Sequence, residues 1–200
     1  MTQSEDDVYL RYSHDRYEIR KKFFKLFGGA FHIFGPDGTV LFYSKQKAFK
    51  LKEDIRLYTG EDMQSEALTI RARQVIDISA VYDVFDPVAN ESVGSLQRRG
   101  LKSIMLRDEW LILDDAQREL GTVQEDSTAL ALIRRHLINL IPQSYHAEVD
   151  GQRVGVYRQR FNPFILRLTM DFGADTQQLL DRRLAIAAAV LLCAIEGRQQ

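Results

Sequence analysis

The residues best suited to chemistry in this chain are a run of cations. Arg20, Lys21, Lys22, Lys25, Lys45, Lys47, Lys50 and Lys52 stand against a single acid, Asp37. The stretch has an excess of seven positive charges, so the remainder of a chain of net charge −1 carries eight net negative ones. Lys45 with Lys47, and Lys50 with Lys52, are two apart, which sets both members of a pair on one side of a strand. Phe49 and Leu51 alternate with the second pair and would face inward. Arg71 with Arg73, and Arg158 with Arg160, repeat the spacing. Outward strand positions are ordinarily charged, so a solvated face is the plain reading. The functional reading is contact with an anionic lipid surface, at ~1 kcal/mol per basic residue. Lys45, Lys47, Lys50 and Lys52 are the candidate residues for it.

The other reactive residue types do not assemble. His14, His32, His136 and His146 lack the close pairing of zinc ligands and have no cysteine nearby. His32 alternates with Phe31 and Ile33 as an ordinary strand residue. Cys193 sits among apolar residues, where a thiol is inert. Gly28-Gly29 lacks the rest of a phosphate-binding loop, and no G-x-S-x-G is present. Asp114-Asp115 falls where a hairpin turn is expected. These readings imply no catalytic residues, no metal and no cofactor.

The elements that would carry the cations are short strands. Phe31 to Phe34, Gly35-Pro-Asp-Gly38 and Thr39 to Tyr43 read as a hairpin around a strong turn. The same grammar of aromatic start, polar turn and apolar return recurs three times. It links Tyr82–Pro87 to Val93–Leu96, Trp110–Asp115 to Leu120–Val123, and Tyr145–Gly151 to Val154–Tyr157. Further strands are expected at Tyr17–Phe27, Leu51–Leu57, Leu68–Val75, Ile76–Val81 and Phe164–Met170. Thr128 to Leu140 reads as an amphipathic helix on the barrel wall or rim, with an interfacial membrane helix as the alternative. Met1 to about residue 16 reads as a polar arm, with Val8, Tyr9 and Leu10 as the residues that could order part of it.

Near the end, Leu184 to Ile195 is apolar at every position. A helix with no polar face cannot lie on a wet surface, and a membrane span needs ~20 apolar residues. The run is bounded by Arg183 and Glu196, so it must be wrapped by protein. Asp175 and Gln178 suggest a capping box, and the helix is expected over about 176–196. About a dozen strands and one apolar helix imply a mainly β fold, a closed antiparallel barrel of about twelve strands enclosing the helix. One domain is expected over 17–200.

Composition narrows the setting. The near-zero net charge argues against a nucleic-acid partner. A lone cysteine fits a reducing compartment, and the acidic start Met1 to Asp7 is unlike a signal peptide, so a cytoplasmic protein is expected.

From about Tyr17 to Arg198 the chain resembles the tubby C-terminal-like superfamily, in its LURP-one-related and phospholipid-scramblase-like branch. The resemblance rests on Tyr17-Glu-Ile-Arg-Lys-Lys-Phe-Phe, then Phe31-His-Ile with Pro36-Asp-Gly38. It continues through Tyr82-Asp-Val-Phe-Asp and Val93-Gly94 to Asp181-Arg-Arg-Leu-Ala before the apolar helix. It implies a barrel of about twelve strands around a central C-terminal helix. It also implies a non-enzymatic module that binds anionic lipid or a protein at the cytoplasmic membrane face. A scramblase-like lipid mover is the alternative, and a small-ligand carrier or enzyme the third reading. Scramblase-like members carry an acidic calcium segment, for which only Asp171 and Asp175 stand here, too few for the six to eight oxygens calcium takes.

Overall fold

The computed structural model describes residues 4–22, 30–45, 54–76, 79–99, 109–126, 143–160, 162 and 165–195. Period-two burial sets the strands. Along Ile165–Asp171, for example, Leu166, Leu168 and Met170 are buried while Ile165, Arg167 and Thr169 are half-exposed. Among the described residues twelve strands form: β1 (Arg16–Lys22), β2 (Ala30–Phe34), β3 (Val40–Lys45), β4 (Ile55–Tyr58), β5 (Glu66–Ile76), β6 (Ser79–Asp86), β7 (Glu91–Arg99), β8 (Glu109–Leu113), β9 (Glu119–Glu125), β10 (Ser144–Val149), β11 (Gln152–Arg160) and β12 (Ile165–Asp171). Each pairs antiparallel with its neighbours in sequence, and β1 pairs with β12, Ile19 opposite Leu168, so the sheet closes.

The four anticipated hairpins are β2–β3, β6–β7, β8–β9 and β10–β11. Their turns follow local chemistry. Asp37 accepts from the Thr39 N–H at 3.0 Å and the Thr39 hydroxyl at 2.7 Å. Asp150 and Gly151 take φ of 50° and 72°, the left-handed pair that a two-residue turn between antiparallel strands requires. Ile76–Val81 is not a separate strand: β5 runs to Ile76 and β6 starts at Ser79. Lys47, Lys50, Lys52 and the helix expected at Thr128–Leu140 lie outside the described residues.

The N-terminal segment is built in, against the expectation of a polar arm. Helix α1 (Glu5–Leu10) is capped by Ser4, whose hydroxyl accepts the Asp7 N–H at 3.3 Å. Val8 and Tyr12, four apart and so on one face, are buried. The Arg11 guanidinium donates to the Leu41 and Thr59 carbonyls at 2.7 and 3.2 Å, and the Tyr12 hydroxyl to the Ala67 carbonyl at 3.1 Å.

The second helix, α2 (Arg182–Ile195), fills the barrel, and Leu184 through Ala194 are each at most 4% exposed. Burial on every face is possible only with sheet all round. Five alanines keep the helix thin beside Trp110, Tyr145 and Tyr157, and the Tyr157 hydroxyl donates to the Ala185 carbonyl at 3.2 Å. The helix starts at Arg182, not at 176. Gln178 has φ of 53°, which interrupts helical geometry, and Asp175 caps the preceding turn by accepting the Leu179 and Leu180 N–H groups. Asp181 is the true cap: its carbonyl accepts the Ala185 N–H and its carboxylate the Arg183 N–H.

Candidate functional site

The barrel register assembles a basic row that no stretch of sequence contains. Alternation turns Arg20 on β1, Arg167 on β12 and Arg160 on β11 outward, and the pairing sets Arg20 opposite Arg167 and Arg167 opposite Arg160. Neighbouring strands are ~4.8 Å apart, so three guanidinium stems share a span of ~10 Å. Like charges directly opposite destabilise a sheet. Five other outward arginines are neutralised: Arg56 by Glu66, Arg71 by Asp54, Arg73 by Asp83, Arg99 by Glu109 and Arg118 by Asp114. Among the described residues no carboxylate pairs with Arg160, Arg167 or the exposed Arg158. The Arg167 Nε is shielded from water and has no hydrogen-bond partner among the described residues. Arg20 is the exception in the row; it contacts Glu18 and lies 4.2 Å above the Phe34 ring.

Lys45 is exposed at the end of β3, two strands from β1, where it pairs with Ala30 across the ladder. The row continues from Arg20 through His32 to Tyr43 and Tyr58 on β2, β3 and β4. Sequence spacing flagged Arg158 with Arg160 but not Arg167, which pairs with Arg160 on one side and with Arg20 of β1 on the other.

The second polar assembly surrounds the mouth where α2 enters. Arg183 donates to Asp86 at 2.7 Å, Glu91 at 2.8 Å and Asp181 at 2.8 Å. Burial pulls its guanidinium down, but the bonds to Asp181, Asp86 and Glu91 more than offset this and hold it above the usual arginine range. Arg182 donates to Asp175 at 2.7 Å, approaches Asp15 at 3.5 Å and lies 4.8 Å above the Phe172 ring. A cavity of about 620 Å³ opens beside them, with Tyr9, Tyr12, Asp15, Glu91 and Asp181 in its wall.

Each described histidine meets its own surroundings. His14 is edge-on to Tyr17 at 5.9 Å, His32 is 2.7 Å from Glu61, and His146 lies between Asp126 at 2.6 Å and Glu148 at 3.4 Å. Among the described residues no group of three His, Cys, Asp or Glu is placed to hold a metal ion. Asp171 pairs with Arg16 at 3.0 Å while Asp175 is consumed by Arg182 and two N–H groups, so the two do not converge on a cation. Asp114 closes the β8–β9 turn through the Arg118 N–H at 2.8 Å. Cys193 is buried, and burial pushes its thiol up to about 12. No helix among the described residues is long and apolar enough to cross a membrane. No protein-family model, curated protein or solved structure matches the chain.

Proposed function

We propose that the chain is a non-enzymatic binding module of the tubby C-terminal-like type, in its LURP-one-related branch, that docks on an anionic lipid surface at the cytoplasmic membrane face. The observation that carries the lipid reading is the cross-strand row of Arg160, Arg167 and Arg20, whose first two members have no carboxylate partner among the described residues. A sheet tolerates such a row at a cost in stability, and an external anion removes that cost. The family reading is supported by the twelve-strand barrel around a C-terminal helix. The lipid-mover alternative requires α2 to leave the barrel, which exposes eleven consecutive buried residues.

The test is flotation of the full chain with zwitterionic vesicles and with vesicles containing phosphatidylserine. Binding is expected only to the anionic vesicles at low salt, and to vanish near 1 M salt, where the Debye length is ~3 Å. Replacing Arg158, Arg160 and Arg167 with Gln should weaken it about 100-fold, at ~1 kcal/mol per residue. Replacing Arg56, Arg71 and Arg73, which are already paired, should change it little. Equal loss from both triple variants, or no binding by the parent, refutes the reading.

A further inference from the structure

The barrel is not stitched evenly. Among the described residues, every junction but one between neighbouring strands aligns four to seven residue pairs. Between β3 and β4 the only aligned pair among them is Tyr43 with Tyr58. Ser44 and Lys45 on β3 are paired to β2, and Ile55, Arg56 and Leu57 on β4 to β5. None of the five is paired across this junction. One residue pair supplies at most two backbone hydrogen bonds, and a sheet opens first where such bonds are fewest. Behind the junction Phe42, Ser44, Ile55 and Leu57 alternate inward, each at most 9% exposed. The weak side of the barrel therefore covers part of its core.

The compensation comes from outside the sheet. One guanidinium nitrogen of Arg11 donates to the Leu41 carbonyl on β3 at 2.7 Å and to the Thr59 carbonyl, just past β4, at 3.2 Å. Arg11 thus joins the two strands that the ladder leaves nearly unjoined. Among the described residues no carboxylate pairs with it, so its bonding is directed at the strands. Tyr12 spans the same junction: its ring lies 4.8 Å from that of Phe42 on β3, and its hydroxyl donates to the Ala67 carbonyl on β5 at 3.1 Å. Both residues are held at the rim by α1, whose Val8 is buried and whose Tyr9 hydroxyl meets Asp86 at 3.4 Å. Hydrogen bonds from a charged donor are the strong ones, so one side chain carries a large share of what crosses the junction.

We infer that the β3–β4 junction is the point at which the barrel opens, and that the N-terminal segment is the latch that holds it shut through Arg11. Opening parts Tyr43 from Tyr58 and lets solvent reach Phe42, Ser44 and Leu57, while the other junctions of the closed sheet stay paired. Displacing the segment from the rim opens this one side without unfolding the barrel. None of this requires lipid binding.

The experiment is thiol labelling of the full chain, with Cys193→Ala removing the native thiol. Ser44→Cys places a probe behind the junction, and Val123→Cys places one behind the well-paired β8–β9 and β9–β10 junctions, both at positions at most 1% exposed. With Arg11 intact, the thiol at 44 should react faster than the thiol at 123. Its rate should respond weakly to urea, because a local opening exposes little surface. Arg11→Gln should raise the rate at 44 at least about tenfold, as the loss of two charge-assisted bonds implies, and leave 123 unchanged. Arg16→Gln, which removes an ion pair across the well-paired β1–β12 junction, should change neither. The comparison of 44 with 123 in the presence of Arg11 decides the opening point even if Arg11→Gln does not fold. Equal rates at the two thiols, an equal rise of both on Arg11→Gln, or no rise at 44 overturns the proposal.

Discussion

Arg183 at the start of α2 and Asp86 at the end of β6 meet at 2.7 Å across 97 residues of sequence, with the Asp86 side chain only 1% exposed. The pair ties the inner helix to the barrel rim at one point. Asp86 also accepts the Val88 and Ala89 N–H groups, at 2.9 and 3.2 Å, so its own turn holds it in place as well.

Asp86→Ala should therefore be among the most damaging single changes. It strips a half-buried guanidinium of its buried partner and unmakes a turn; with Glu91 and Asp181 still on Arg183, the cost is about 1–3 kcal/mol. Urea denaturation should show the midpoint falling at unchanged slope. Glu91→Ala, which removes an exposed partner of the same arginine, should cost under about 1 kcal/mol.

Acid should act through Asp175. Burial pushes its carboxyl up, but bonds from Arg182 and from the Leu179 and Leu180 N–H groups more than offset this and hold it below the usual range. A depressed folded value means the stabilisation is fully present above the unfolded value of ~3.9 and is lost as pH falls through the folded one. Melting temperature against pH should drop below about pH 4. Asp175→Asn should start lower and show a flatter acid limb; an unchanged limb would remove Asp175 from the account.

Cys193 reports on the helix. A thiol pushed up to about 12 by burial has almost no thiolate at pH 8. A disulfide reagent should leave it unmodified in the native protein and label it once urea unfolds the chain. Stoichiometric labelling of native protein within minutes would mean that α2 is not held inside.

Gly121 and Gly151 separate close approach from backbone strain. A Cβ on Gly121 would lie 1.9 Å from the Glu148 carbonyl oxygen on the paired strand, whereas one on Gly151 meets nothing within 4 Å. Gly121→Ala should force the β9–β10 ladder apart and cost at least about 1–3 kcal/mol. Gly151→Ala, strained only by its φ of 72°, should cost about 1 kcal/mol. Thermal melts of the two variants side by side decide the order.

The local grammar of the chain was readable because it is short-range. Gly35 to Gly38 and Asp150-Gly151 mark their turns by residue type, and the apolar run Leu184–Ile195 announces a wrapped helix. What stayed hidden depends on closure. Arg20 and Arg167 become neighbours only because β1 meets β12, and no spacing rule reaches across that distance. The Asp86–Arg183 contact was hidden for the same reason. Tyr12 was passed over because the acidic neighbours of Val8 mask the two-residue apolar face the pair forms. Of the candidate lysines, Lys45 alone falls among the described residues.

The β1–β12 seam also sets a timetable. Arg16 and Asp171, paired across it, are 155 residues apart. At ~5–20 residues per second, β1 leaves the ribosome roughly 8–30 s before its partner strand exists. Through that interval its free edge and the apolar residues Tyr17 and Ile19 have no partner on that side, a standing invitation to the wrong chain. The barrel is thus a structure that nascent protein cannot finish in pieces. Variants that leave the finished fold intact can still fail in cells by lengthening that wait, and co-expressed chaperone should rescue their yield without altering their melting temperature.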